Sequence, residues 1–154
     1  MGRGLIIRAG QAERVRSPLG GDVTYLARGG DTGGAFTALE FLVPPAEGPP
    51  LHVHTREEEW VYVLEGELRW KLGDELSTES PGASLFIPRG AAHGFHNATD
   101  TPARMLATFT PAGIEGFFDR LADLTAFDPE AFRAAAAAHG MEVVGPPLAE
   151  SDPL

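Results

Sequence analysis

Through residue 111, glycines and prolines lie between short apolar runs, and this punctuation constrains the fold more than any other feature of the chain. With 19 glycines and 13 prolines in 154 residues, the first two-thirds has no room for long helices. It reads instead as many short strands joined by tight turns. The expected strands are Leu5–Arg8, Asp22–Ala27, Phe36–Val43, Glu59–Leu64, Glu67–Leu72, Ser84–Ile87, His93–Asn97 and Ala103–Thr110. In Glu59–Leu64, aromatic and β-branched residues dominate and no helical period is present. Gly66 in "LEGEL" and Gly73 in "KLGDEL" stand where hairpin turns are expected. About eight strands with frequent turns predict an all-β chain, folded as a closed or double-sheet antiparallel barrel.

The pattern changes after Pro111. Ile114, Phe117, Phe118, Leu121 and Leu124 recur at helical spacing. A second helix follows, with Asp128 as N-cap, Pro129 at its first position, Gly140 past its end, and Phe127 and Phe132 spaced as a hydrophobic staple. The two helices are expected to pack outside the barrel or against a partner subunit. The whole is read as one domain: a barrel over about 20–110, a helical extension over about 111–140 and a flexible tail over 145–154.

Several function classes are excluded by composition. The net charge of -10, with basic residues scattered singly, argues against nucleic acid or an anionic membrane as partner. No apolar run approaches a membrane span and no secretory segment opens the sequence, so a cytoplasmic location is expected. Without cysteine there is neither a disulfide framework nor a thiolate ligand.

Against that background, residues 49–60, "PPLHVHTREEEW", stand out: two of only five histidines lie one residue apart, before three glutamates. Residues two apart on a strand point to the same side, so His52 and His54, roughly 6 to 7 Å apart along an extended segment, converge on one cation. Among the glutamates, Glu59 shares its face with Val61 and Val63, while Trp60 and Tyr62 face the other way. Glu57 has the parity of Glu59 but is read, with Glu58, as part of a solvated turn. Downstream, in "PGASLFIPRGAAHGFHN", His93 opens a strand; His96 falls on the opposite face and Asn97 is placed to tie down the strand end. Val61, Val63, Phe86 and Phe95 are candidates to line the barrel, and Phe95, with the parity of His93, is the better pocket residue. His139, in the last turn of the second helix, suits the helix dipole and receives no catalytic role.

These two segments resemble the paired motifs of the cupin superfamily. His52, His54, Glu59 and Gly66 match the first motif; Gly82, Pro88, Gly90, His93 and Asn97 match the second at every position. Ala46 stands where the family often has glycine, with Gly48 nearby. The resemblance covers roughly residues 36–110. It implies an antiparallel double-stranded β-helix, or jelly-roll barrel, followed here by two C-terminal helices. It also implies a metal held by His52, His54, Glu59 and His93, one divalent transition ion per chain: Fe, Mn, Ni, Co, Cu or Zn. Four protein ligands leave one or two positions open for a small-molecule substrate, as in a catalytic site. Similarity to small cupins described as quercetin-dioxygenase-like implies an oxidoreductase acting on an enolic or flavonol-like compound, with Glu59 also serving as base. A redox-neutral isomerase or cyclase, and a non-catalytic binding cupin, are the alternatives. The fold also implies a homodimer, for which Trp60 and Tyr62 supply an outward apolar face.

Overall fold

The computed structural model describes residues 3–17 and 21–154. Its strands are β1 (Arg14–Arg16), β2 (Asp22–Ala27), β3 (Thr37–Val43), β4 (Pro50–His54), β5 (Glu58–Glu65), β6 (Leu68–Leu72), β7 (Glu75–Glu79), β8 (Ser84–Ile87), β9 (His93–His96), β10 (Ala103–Thr110) and β11 (Met141–Pro147). Four helices accompany them: α1 (Gly29–Thr32), α2 (Glu115–Ala122), α3 (Pro129–Ala138) and α4 (Leu148–Ser151). The strands form two antiparallel sheets, ordered β1-β2-β3-β10-β5-β8 and β11-β4-β9-β6-β7. No described helix is long and apolar enough to cross a membrane.

The core lies between the sheets and is built by period-two alternation. On β5, Glu59, Val61 and Val63 are buried and Trp60 is exposed; on β10, Ala103, Met105, Ala107 and Phe109 alternate inward. The outer face carries Trp60, stacked on Tyr62 at 6.0 Å between ring centroids. Phe86 belongs there too, contrary to its expected place inside the barrel. Its ladder partner is Trp60, so it shares Trp60's outward face and is 58% exposed, while its neighbour Ile87 turns in.

Several expected elements are placed differently. Leu5–Arg8 forms no strand and leaves Ile6 exposed; the sheet edge is instead Arg14–Arg16, held by Val15 opposite Val23. The expected barrel start near residue 20 lies outside the described residues. Gly73 does close a two-residue hairpin between β6 and β7, where Leu72 pairs with Glu75. Gly66 does not close one: β5 and β6 lie in different sheets, so the chain changes sheets there. Glycine is needed at that corner, because φ is +73° and a Cβ would come within 2.8 Å of Ala103 Cα and Pro102 O.

Both helices pack against the barrel, one of the two expected arrangements, and their apolar faces join its core. Phe117 on α2 meets Phe132 on α3 at 5.4 Å, edge to face, and Phe118 meets Phe41 of β3 at 5.3 Å. Asp128 caps α3 by accepting from Glu130 N and Ala131 N, and Phe127 contacts Phe132 as a staple does. A polar clamp fixes α2 to the first sheet: Arg28 donates twice to Asp119, at 2.9 and 3.0 Å, and Tyr25 donates to the same carboxylate at 2.7 Å. Glu115 joins in, accepting from Gly29 N and from the Thr37 hydroxyl.

In place of a flexible tail over 145–154, the structure has the end of β11 and then α4. Met141 and Val143 pair with His54 and His52 along the free edge of β4. Leu148 is fully buried, and Asp152 accepts from Lys71 Nζ at 2.8 Å and, through its carbonyl, from Arg69 at 2.9 Å. The prolines at 146 and 147 disguise this strand in the sequence, yet an edge strand accommodates proline because its outer N–H groups need no partner.

Ala46 has φ +63°, the left-handed region where the family often places glycine. Its amide donates to Asn97 O, and Asn97 N donates back to Glu47 O, so the backbone there is over-determined. Ala46→Gly is expected to stabilise the protein by about 0.5–1 kcal/mol in chemical denaturation, the relief of a left-handed Cβ less the added freedom of the unfolded chain. Asp119→Asn is expected to cost about 1–2 kcal/mol at neutral pH through loss of the charge-assisted clamp, which is partly solvent-exposed. The hydrogen bonds from Arg28 hold the Asp119 carboxyl below its ordinary 3.8 despite some burial, with Tyr25 assisting. The wild-type advantage is therefore full above pH 3.8 and disappears as pH falls below it.

Candidate metal centre

The strand register assembles the centre. On β4, His52 and His54 are separated by Val53 and both turn inward; His52 lies directly opposite His93 of β9 in the ladder. The imidazole centroids of His52 and His93 are 4.4 Å apart, and each is 5.2 Å from that of His54. One ligand atom from each of the three imidazoles falls within 4.8 Å of the other two. Glu59 reaches the cluster from the other sheet, facing the histidines across the barrel. Its Oε2 is 3.0 Å from His93 Nε2 and 3.5 Å from His54 Nε2. The structure thus brings all four expected residues together, each at least nine-tenths buried.

Backbone carbonyls orient two of the rings. His52 Nδ1 donates to Pro50 O at 2.7 Å and His93 Nδ1 donates to Ala91 O at 2.9 Å. A carbonyl can only accept, so each Nδ1 carries the proton and Nε2 is left as the ligand atom. Burial, and the neighbouring His93 and His54, push His52 far below the ordinary imidazole pKa. Burial lowers His54 too, against the attraction of Glu59. For His93, burial pulls down, but the hydrogen bond to Glu59 outweighs it and the pKa is raised. Burial alone would raise Glu59; the His93 hydrogen bond and the two nearby imidazoles keep it below the ordinary carboxyl value. Three buried imidazoles beside an ionised carboxylate suit a single divalent transition ion, which would take the place of the proton that His93 Nε2 shares with Glu59.

His52, His54 and Glu59 border a cavity that opens to solvent. Phe41, Val43 and Phe95 line it from the barrel, Phe117, Phe118 and Phe132 from the C-terminal helices, and Met141 from β11. Phe95 both borders this space and packs on Trp70 at 5.1 Å, so it serves the pocket and the core together. His93 lies behind the ring of residues that meet the cavity.

These features match those of known proteins. The cupin domain family aligns with residues 39–109, the stretch from β3 through β10 that carries both histidine segments. The chain belongs to the cupin superfamily. This cupin is 36% identical over 70 residues to polyketide synthase CurC of Streptomyces cyaneus, covering 46% of each chain. It is 34% identical over 95 residues to protein SchB of Streptomyces halstedii, covering 60% of this chain and 67% of that one. It is also 32% identical over 77 residues to mannose-1-phosphate guanylyltransferase 2 of Escherichia coli O157:H7, covering 49% of this chain. The cupin spans about half of CurC and only 16% of the guanylyltransferase. The crystal structure of the polyketide cyclase RemF from Streptomyces resistomycificus superposes with a TM-score of 0.61 at 29% identity, over 70% of this cupin and 80% of RemF.

Sequence reasoning missed two parts of the site. Glu57, expected in a solvated turn, is 3% exposed. Its Oε2 is 3.8 Å from His54 Nδ1, neither atom has a hydrogen-bond partner among the described residues, and burial pushes the carboxyl up to about 7. Its parity with Glu59 was the available signal. The aromatic wall from α2 and α3 was also missed, because helical periodicity shows which face is buried and not against what.

Purified wild-type protein stripped and then dialysed against Co²⁺ or Zn²⁺ is expected to retain about one equivalent per chain. His52→Ala and His93→Ala are expected to retain little, by elemental analysis. Equal retention by all three proteins would remove the centre from these residues.

Proposed function

We propose that this cupin is a metal-dependent enzyme for a flat, largely apolar substrate held through an enolic or phenolic oxygen, and that it promotes redox-neutral ring closure or isomerisation. The observation that carries the reading is the junction of two unlike surfaces: imidazoles and a carboxylate border a cavity whose remaining lining is mostly apolar and rich in phenyl rings. A substrate matched to it has an extended apolar body and a polar, metal-seeking end. The likeness to a protein described as a polyketide cyclase, and to one described as a polyketide synthase, supports the same class.

In this reading His52, His54, His93 and Glu59 hold one divalent ion, which when bound supplies Lewis acidity toward a substrate oxygen. The phenyl rings of Phe41, Phe118 and Phe95 orient the apolar body and exclude water from the polar end. Glu59, ionised and bordering the cavity, takes the proton from the enolisable carbon at its free carboxylate oxygen. The carbon electron pair then forms a bond to a carbonyl carbon within the same molecule, and that carbonyl oxygen receives a proton. No electrons are gained or lost overall. A dioxygenase would use the same site, and a donor set of three imidazoles and a carboxylate also suits redox-active Fe, Mn or Cu; it differs in needing dioxygen as co-substrate.

The test is binding and turnover of planar hydroxy-ketones, with 3-hydroxyflavone as first probe, by Zn²⁺- and Fe²⁺-loaded protein with and without air. A spectral shift on binding is expected, weakened roughly tenfold by Phe118→Ala through loss of apolar contact. Conversion of an enolisable polyketone without oxygen supports the cyclase reading. Oxygen uptake in step with product would replace it by the dioxygenase, and binding without turnover of any probe would leave a carrier.

A further inference from the structure

The three imidazoles of the centre are not anchored alike. His52 and His93 each direct Nδ1 to the carbonyl two residues earlier, at 2.7 and 2.9 Å, and that contact leaves Nε2 as the ligand atom. His54 has no such anchor: its Nδ1 is buried without a hydrogen-bond partner among the described residues. The polar atom facing it is Oε2 of Glu57, itself buried, unpartnered and 3.8 Å away. Two orphaned buried polar atoms that face one another cost folding stability, since each has given up water for nothing. Glu57 does not border the substrate cavity, so the carboxylate has no access to a ligand there.

We infer that Glu57 is the positioning residue of the centre: with the ion in place, Oε2 accepts the Nδ1–H of His54, fixing that ring to coordinate through Nε2. A modest rotation of the glutamate side chain closes the gap, and the pairing does for His54 what Pro50 O and Ala91 O do for its neighbours. A carboxylate behind the ring does more than a carbonyl, because its charge makes the imidazole a stronger donor to the ion. One of the three histidines is therefore electronically distinct. The inference rests on the metal-binding part of the proposed function and not on the substrate assigned to it.

The experiment measures Co²⁺ affinity by chelator competition, the Co²⁺ absorption bands and the thermal midpoint of the metal-free protein, for wild type, Glu57→Gln and Glu57→Leu. For Glu57→Leu, affinity is expected to fall roughly 10- to 100-fold, with shifted Co²⁺ bands. Glu57→Gln, which keeps an acceptor but not the charge, is expected to lie between that variant and wild type. The metal-free midpoints of both variants are expected to match or exceed wild type, because an unpartnered buried carboxyl is removed. Unchanged affinity and bands, with a lowered metal-free midpoint, would make Glu57 a folding residue only and overturn the inference. A wild type that binds no Co²⁺ would overturn the metal centre itself, a separate failure. Should neither variant fold, the imidazole nitrogens of Zn²⁺-loaded wild type report directly by long-range ¹H–¹⁵N correlation. A protonated Nδ1 on His54 supports the inference, and a protonated Nε2 refutes it.

Discussion

A carboxylate and three imidazoles, nearly free of water, occupy the interior of an apolar barrel, and the rest of the structure accommodates that cost. Burying an ionised carboxylate is unfavourable by several kcal/mol unless it is paired and hydrogen-bonded. Here Glu59 comes from one sheet and its partners from the other, so the electrostatic attraction is also a tie between the two layers. A proton on His93 Nε2 offsets the charge of Glu59 in the cluster, and a divalent cation bound by the same nitrogens and carboxylate would take over that role. The backbone carbonyls of Pro50 and Ala91 hold their rings whether or not an ion is present, which pre-organises the cluster.

Much of this was legible beforehand because it depends on local rules. Turn residues separate strands, and parity assigns faces: Glu59, Val61 and Val63 turn in and Trp60 turns out as the alternation requires. Parity put His52 and His54 on one face, and the likeness to the cupin motifs added His93, which the ladder sets opposite His52. Asn97, read as a tie for the strand end, donates to Val43 O and Thr101 O. What escaped was non-local. Whether Gly66 closes a hairpin or a corner between sheets depends on what Ala103 does across the barrel. Whether Phe86 points in or out depends on its register against Trp60. Glu57 looked solvated because three successive glutamates usually are, whereas tertiary packing buries it beside His54.

The molecule therefore has a general part and a particular one. The barrel from β3 to β10 supplies the ion-binding arrangement, and it is the part that aligns with the cupin family. The phenyl rings of α2 and α3 add a wall that the barrel alone lacks, attached through the Arg28–Asp119–Tyr25 clamp and the contact of Phe118 with Phe41. The His/Glu cluster and the helical part of the aromatic wall thus come from successive segments of one chain. Substitutions in α2 and α3 can reshape the cavity without touching any residue of the His/Glu cluster.

The position of β11 has a consequence for biosynthesis. The strand covering the edge of β4, which bears two of the three histidines, is synthesised after every other described strand. Until residues beyond Gly140 emerge, β4 presents unpaired backbone groups next to the already assembled polar cluster, the kind of edge that recruits foreign strands. The edge of the histidine strand is sealed only after nearly all of the barrel has been made, so a nascent chain stalled before that point carries its ligands without their cover.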